Sequence, residues 1–304
     1  MIKSAVSRFL DLRALSALRH LRFTTRQRID GAYTGRHRSR QQGGAGEFVD
    51  FREYTAGEDL RRLDWKVLAR TDRAYVRLYQ DETNLTCTLA IDASGSMLYA
   101  GQRKPWKSGS KLEYVQYLAT ALSHVISEAQ DQVGLAIVSD GLKDYLAPAG
   151  GMVHVRRLQQ LIEKIPRRRS ATKLSEALQS LFQRAHRRGV LVVLSDFLDD
   201  DPEQIFAVLR LFRHRRWDLV VLHVVHPDEE QLPAGGAYRF EGLEQSGWVN
   251  CSPRDIRDLY QRRFAAHGEM IRALALSVDA DYRRISTAVP YLEQLGQFLR
   301  GRTG

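Results

Sequence analysis

Residues 85–97 read LTCTLAIDASGSM. The first half, Leu85 to Ile91, is an apolar run of strand length, the pattern of a strand buried on both faces. It runs into Asp92-Ala-Ser-Gly-Ser96, a turn-forming cluster of small polar residues. In an open parallel sheet, ligands bind just beyond the carboxyl ends of the strands. One carboxylate and two hydroxyls therefore arrive together where such a sheet binds things. A hard dication such as Mg²⁺ takes this set: oxygen ligands, few carboxylates, and positions left for water or a partner.

From this strand onward the pattern is regular. The spacing predicts a helix over 111–129, opened by Ser110-Lys-Leu-Glu113 as a capping box. A strand at 133–138 follows, then a short one near Tyr145 and a helix over 152–164 that ends before Pro166. Next come a helix at 173–187, a strand at 190–195, a helix at 202–213 and a strand at 219–225. Residues 237–251, with Gly242 and Gly247, read as an inserted β-hairpin. A helix at 254–276, a strand at 282–286 and a helix at 290–300 close the chain. Strands alternating with helices of this length mean an α/β fold with a doubly wound, mainly parallel, Rossmann-like sheet and helices on both faces.

Upstream the character changes. Residues 4–30 carry a leucine stripe (Leu10, Leu12, Leu15, Leu18, Leu21, Phe23) opposite five arginines and read as one amphipathic helix. Such a helix packs on its own domain or a partner, and contact with a membrane surface stays open. Residues 31–46, GAYTGRHRSRQQGGAG, read as a basic loop. Strands are expected around Phe48–Tyr54 and 74–79, with a short helix at 59–70 whose opposite charges (Asp59, Arg61, Arg62, Asp64, Lys66) pair around Trp65 as an anchor. The division is thus a smaller basic N-terminal segment of helix and short strands, 1–83, and an α/β domain, 84–304. Residues 1–80 carry 17 Lys and Arg against 9 Asp and Glu, so most of the formal charge of +10 lies there.

The 304 residues, 43% apolar and 27% charged, describe a globular chain. No apolar run reaches the ~20 residues of a membrane-spanning helix, and the N-terminus lacks the uninterrupted apolar core of a signal peptide. Two cysteines, Cys87 and Cys251, exclude a disulfide framework. Cys87 reads as a small buried hydrophobe, and a cytoplasmic location is expected.

Two further loops should open on the edge that holds Asp92. One carries Thr172, just before the helix at 173–187. The other carries Asp196, at the end of the apolar run VLVVLSD. Two carboxylates and three hydroxyls then surround one point. Each also has an ordinary use: Asp92 and Asp196 as loop caps, Ser94 and Ser96 as turn formers, Thr172 as a helix N-cap.

Together these residues resemble the von Willebrand factor type A domain, over about residues 84–304. In that family an Asp-x-Ser-x-Ser loop, a Thr from a second loop and an Asp from a third form a metal-ion-dependent adhesion site. The matching positions are Asp92, Ser94, Ser96, Thr172 and Asp196. Upstream, Arg36-His-Arg-Ser39, Glu47-Phe48, Tyr54, Gly57-Glu-Asp-Leu-Arg-Arg-Leu-Asp-Trp-Lys66, Ala69-Arg-Thr-Asp72 and Tyr75-Val76-Arg77 resemble the signature of the domain-of-unknown-function 58 family, which joins such a segment to a type A domain. The resemblance implies a partner of MoxR-type AAA+ ATPases in chaperone-like assembly or activation of other proteins. It also implies Mg²⁺, or another divalent ion such as Mn²⁺ or Ca²⁺, whose coordination a partner's acidic side chain completes. Asp92 and Asp196 would hold the ion, Asp196 through a water, with Ser94, Ser96 and Thr172 as neutral ligands.

Catalysis is not expected. A phosphohydrolase of the haloacid-dehalogenase kind needs Asp-x-Asp, and here the second acid is replaced by Ser94. No G-x-x-x-x-G-K-[ST], G-x-S-x-G or H-E-x-x-H occurs. His223 and His226, three apart on a strand, face opposite sides and make a poor metal pair. Asp199-Asp200-Asp201 before Pro202 reads as a helix cap. Nucleic acid is the second alternative, through Arg36–Arg40, Arg61-Arg62 and Arg167–Arg169, but no nucleic-acid-binding motif accompanies these arginines.

Overall fold

A computed structural model describes residues 7–18, 21–24, 47–55, 63–80, 85–101, 109–185, 188–199, 201–244 and 247–302. The chain forms two compact units. The described residues 7–24 belong with residues 85–302, and residues 47–55 and 63–80 make the other unit. The N-terminal segment expected as one piece over 1–83 is therefore divided.

The expected helix over 4–30 is also corrected within the described residues. Helix α1 is Leu12–Leu15, capped by Asp11, whose carboxylate accepts from Ala14 N at 3.0 Å, and one 3-10 turn, Ser16–Leu18, follows. Residues 21–24 are not helical. Tertiary partners outweigh the helical period here. Phe9 meets Tyr117 edge to face at 4.8 Å, and Phe23 packs on Phe298 at 6.0 Å. Thr24 Oγ1 donates to the Arg302 carbonyl at 2.6 Å, and Arg302 Nε donates back to the Thr24 carbonyl at 2.7 Å. Arg302 is itself buried between Asp218 and Asp281.

In the smaller unit, β1 (Glu47–Glu53) pairs antiparallel with β2 (Tyr75–Gln80), and α2 (Trp65–Thr71) lies between them in sequence. Asp64 caps α2 through Lys66 N and Val67 N. Trp65 is 60% exposed and is not the anchor expected of it. Asp59, Arg61, Arg62 and the loop at 31–46 lie outside the described residues.

The larger unit is a six-stranded sheet. Its elements in chain order are β3 (Thr86–Asp92), α3 (Lys111–Glu128), β4 (Gln132–Ser139), β5 (Gly141–Ala149), α4 (Met152–Glu163), α5 (Leu174–Arg184), β6 (Val190–Ser195), α6 (Pro202–His214) and β7 (Asp218–Val225). Then follow α7 (Pro227–Glu230), β8 (Tyr238–Glu241), β9 (Trp248–Cys251), α8 (Pro253–Ser277), β10 (Asp281–Ser286) and α9 (Tyr291–Arg300). The strand order is β10-β7-β6-β3-β4-β5, parallel except for β5. The short strand expected near Tyr145 is a nine-residue antiparallel edge strand, and its Pro148 suits an edge. This is the doubly wound, mainly parallel arrangement expected.

Strand alternation builds the core. Cys87, Leu89 and Ile91 face α3, α4, α9 and the N-terminal leucines, while Ala90, Leu191 and Val193 face α5, α6 and α8. Both faces are covered, so the inner parallel strands β3, β4, β6 and β7 are buried almost throughout, while the parallel edge strand β10 is polar. Among the described residues no helix is long and apolar enough to cross a membrane.

Candidate functional site

The register of β3 on β6 places the site. Ile91 pairs with Leu194, so Ser195 falls beside Asp92 and Asp196 one residue further along. Ser195 Oγ donates to Asp92 Oδ2 at 2.6 Å, and Ser94 N donates to Asp92 Oδ1 at 2.9 Å. The Ser94 and Ser96 hydroxyl oxygens are 3.1 Å apart. The Ser96 hydroxyl lies close enough to Asp196 to help lower that carboxyl, so the two strand ends meet. Past Asp196 the chain turns sharply, with Phe197 at φ 53° in the left-handed region. Its fully buried ring, stacked on Phe206, holds that conformation.

Lys111 Nζ donates to Asp196 Oδ2 at 2.7 Å and also to Glu229. Lys111 and Asp92 are fully buried, and Asp196 is nearly so. Burial and the Asp196 charge push the Asp92 carboxyl up to about 7. Burial pushes Asp196 up as well, but the Lys111 ammonium outweighs it and holds this carboxyl below its ordinary value. Glu229 is raised by burial, which Lys111 offsets only in part. Burial opposes the Lys111 charge, yet the two carboxylates keep the ammonium above its ordinary value. One ammonium thus faces two buried carboxyls, Asp92 and Asp196, and the partly buried Glu229, and Asp92 is the one it does not touch.

Thr172 is brought to the same edge by a different route. Gly95 N donates to the Ser170 carbonyl at 2.9 Å, which ties the loop before α5 to the loop after β3. Helix α5 begins at Leu174 with no side-chain cap, so Thr172 is not the N-cap of the ordinary alternative. Its hydroxyl donates to Glu244 Oε1 at 2.7 Å and its amide to Glu244 Oε2 at 3.1 Å. Ser96 N donates to Glu244 Oε1 at 3.1 Å. Thr172 and the 94–96 loop therefore meet on one carboxylate from the β8–β9 turn. The structure brings Asp92, Ser94, Ser96 and Asp196 together directly, and Thr172 through Glu244.

Among the described residues, no group of three or more His, Cys, Asp or Glu side chains could hold a metal by itself. Hydroxyls must complete any cation site here. The donor set fits a hard dication in composition, with two carboxylates, serine hydroxyls and an excess of buried negative charge. Both Asp196 oxygens are engaged, Oδ2 by Lys111 and Oδ1 by Leu198 N at 3.1 Å. That suits Asp196 to act through an intervening group rather than as a direct ligand.

Lys111, Ser195, Glu229 and Glu244 are missing from the set read off the sequence. Lys111 is the first residue of α3, a position that is ordinarily solvated. Its Ser110 cap accepts from Glu113 N at 3.2 Å, while the Glu113 side chain reaches Gly109 N rather than Ser110, so the capping box is half formed. Glu229 does leave a signal. It completes a capping box with His226 at the start of α7, accepting from His226 N at 2.9 Å. His223 is buried, pushed down to about 3 by desolvation, and bonded to Tyr282 at 2.9 Å. His226 lies past β7 as a helix cap, so the two histidines form no metal pair. Asp201 caps α6 by accepting from Gln204 N at 3.2 Å, and Asp200 lies outside the described residues.

The model of the family described as protein of unknown function DUF58 matches residues 50–270. Uncharacterized proteins of Mycobacterium tuberculosis (strain H37Rv) and Mycobacterium bovis are each 27% identical over 297 residues, covering 96% of this chain and 90% of theirs. Among solved structures, the chain is similar to an aerotolerance-related membrane protein from Bacteroides fragilis, with a TM-score of 0.49 and 17% identity, over 72% of this chain and 100% of that one. BatB from Bacteroides thetaiotaomicron gives 0.46 and 16%, over 72% and 99%. The SpRpn10 VWA domain gives 0.41 and 14%, over 69% and 93%.

Proposed function

The chain belongs to the DUF58 family, and we propose that it is a non-catalytic protein-interaction module that captures an acidic side chain of a partner in a divalent-metal-dependent way. The observation that carries this reading is the charge imbalance at the strand ends. Among the described residues, the buried Asp92 and Asp196 and the partly buried Glu229 gather around the ammonium of Lys111, and Asp92 is held by hydroxyl and amide donors.

Asp92, Ser94 and Ser96 would hold Mg²⁺, Mn²⁺ or Ca²⁺, with Asp196 and Thr172 beside them. A bound dication supplies the positive charge that lets a further carboxylate settle next to two buried aspartates. The chain's own residues do the rest. Ser195 orients the Asp92 carboxylate, Lys111 keeps Asp196 ionised, and Ser96 N and Thr172 N present donors to an arriving carboxylate. The non-catalytic reading rests on Ser94 standing where a second acid would act. The partner class follows from the family resemblance: a MoxR-type AAA+ ATPase, in chaperone-like assembly or activation of other proteins.

The test is pull-down of a MoxR-type AAA+ ATPase by the wild-type chain and by Asp92→Ala, with Mg²⁺ and with EDTA. Capture is expected from the wild type in Mg²⁺ alone, with circular dichroism unchanged in the variant. Equal capture by folded Asp92→Ala protein would falsify the reading. Turnover of a generic phosphoester, lost in Asp92→Asn, would favour an enzyme instead.

A further inference from the structure

The β8–β9 hairpin pairs Tyr238 with Cys251 and Glu241 with Trp248, and it closes through Gly242 N donating to the Gly247 carbonyl at 2.8 Å. Glu244 sits in the connecting turn. Both its oxygens are used, Oε1 by Ser96 N and Thr172 Oγ1, Oε2 by Thr172 N. Three donors from two separate loops thus converge on one carboxylate. They are two of the three loops that carry the candidate metal ligands.

The hairpin approaches this place very closely. A Cβ on Gly95 would lie 2.1 Å from the Leu243 carbonyl oxygen and 3.0 Å from Glu244 Cγ, so a residue with a side chain at 95 would push the turn away. The strands themselves are weakly held. Trp248 is 55% and Val249 62% exposed, and the ion pair between Arg169 and Glu241, at 3.5 Å, is solvent-exposed. Such a pair contributes little. A segment with this little buried apolar surface opens at low free-energy cost. The Glu244 carboxylate adds a charged attachment of the turn to both loops.

We propose that Glu244 is a built-in ligand, occupying the carboxylate receptor formed by Ser96 N–H, Thr172 N–H and Thr172 Oγ1–H, and that the hairpin must lift before a partner's acidic side chain enters. This rests on the reading of the site as a carboxylate receptor and adds its regulation. The partner and Glu244 compete for the same donors, so capture is coupled to hairpin opening. Its strength depends on how far the partner's contacts outweigh three hydrogen bonds to a charged group.

Two measurements on the full chain test this, using Glu244→Gln. The variant keeps the size of the side chain but replaces one acceptor oxygen with a donor. In hydrogen–deuterium exchange, the Ser96 and Thr172 amides and the 238–251 hairpin should exchange about tenfold faster in the variant. A synthetic peptide of residues 238–250 should then bind the variant about tenfold more tightly than the wild type in Mg²⁺. The same peptide carrying Glu244→Gln should bind neither. Unchanged exchange together with equal peptide binding to both proteins overturns the latch and leaves the receptor reading standing. Faster exchange with no peptide bound by the variant overturns the receptor reading and the latch with it.

Discussion

Asp92 and Asp196 invite comparison. Asp92 ends β3 and Asp196 directly follows β6, each after an apolar run, and the two buried parallel strands are neighbours in the sheet. Their surroundings differ. Asp92 is held by Ser195 Oγ and Ser94 N, neutral donors that orient a carboxylate without cancelling its charge. Asp196 holds a buried ammonium. Burial and its neighbour's charge push Asp92 up, while Lys111 holds Asp196 down. Two residues with the same sequence signature thus do different work. Asp196 stores a charge already compensated, and Asp92 offers one that is not. Positive charge entering this corner has its largest effect on Asp92.

Removing the ammonium should erase the contrast, with the largest effect. Lys111→Met leaves the buried Asp196 and the partly buried Glu229 without their cation and should cost about 3–5 kcal/mol in chemical denaturation. Added Mg²⁺ should recover more of that loss than it adds to the wild type. No difference in Mg²⁺ response would mean the two carboxylates are electrostatically independent.

The pH profile sharpens the contrast next. Asp92 has a raised pKa in the folded chain, so it binds more protons folded than unfolded between about 4 and about 7. Its contribution to stability is full below the unfolded value and is lost as pH rises through about 7. His223 and His267 are depressed by burial and act in the opposite sense, gaining stability as pH rises through the ordinary histidine range. Asp92→Asn isolates the carboxylate. In EDTA, the melting temperature of the variant relative to wild type should rise from pH 5.5 to pH 8, and Mg²⁺ should narrow the gap by stabilising the wild type. A pH-independent gap would remove Asp92 as the titrating group.

Ser195→Ala should have the smallest effect. It deletes the hydroxyl that donates to Asp92 and accepts from Phe197 N at 2.9 Å. A loss of about 1–2 kcal/mol is expected at neutral pH, measured by urea unfolding. The loss should shrink at low pH, where a protonated Asp92 gains less from the donor. An equal loss at both pH values would make Ser195 a turn former and nothing more for Asp92.

The legible parts of the sequence are those where burial repeats along one element. β3, β6 and β7 are covered on both faces, so their apolar runs stand out and their boundaries lie within a residue of expectation. The N-terminal stripe misled for the opposite reason. Its leucines have helical spacing, but Leu15, Leu18, Leu21 and Phe23 each find a place in the core, and residues 21–24 leave the helix to do so. By sequence Thr172 can cap a helix or face the site, and the start of α5 at Leu174 and the bonds to Glu244 separate the two. Glu244 itself carries no local signal. A glutamate in a hairpin turn is ordinary, and its importance depends on two loops far away in sequence.

The order of elements, the α/β class and the convergence of the loops bearing Asp92, Ser94, Ser96, Thr172 and Asp196 could be read from one chain, because strand burial and the strand-end rule are local patterns. The division of labour between the two aspartates, the ammonium beside one of them and the glutamate against Thr172 were decided by tertiary structure. Charge balance in a buried corner is a property of distances between segments. Lys111 lies 85 residues from Asp196, and Glu244 lies 72 from Thr172, so no local pattern records that they meet.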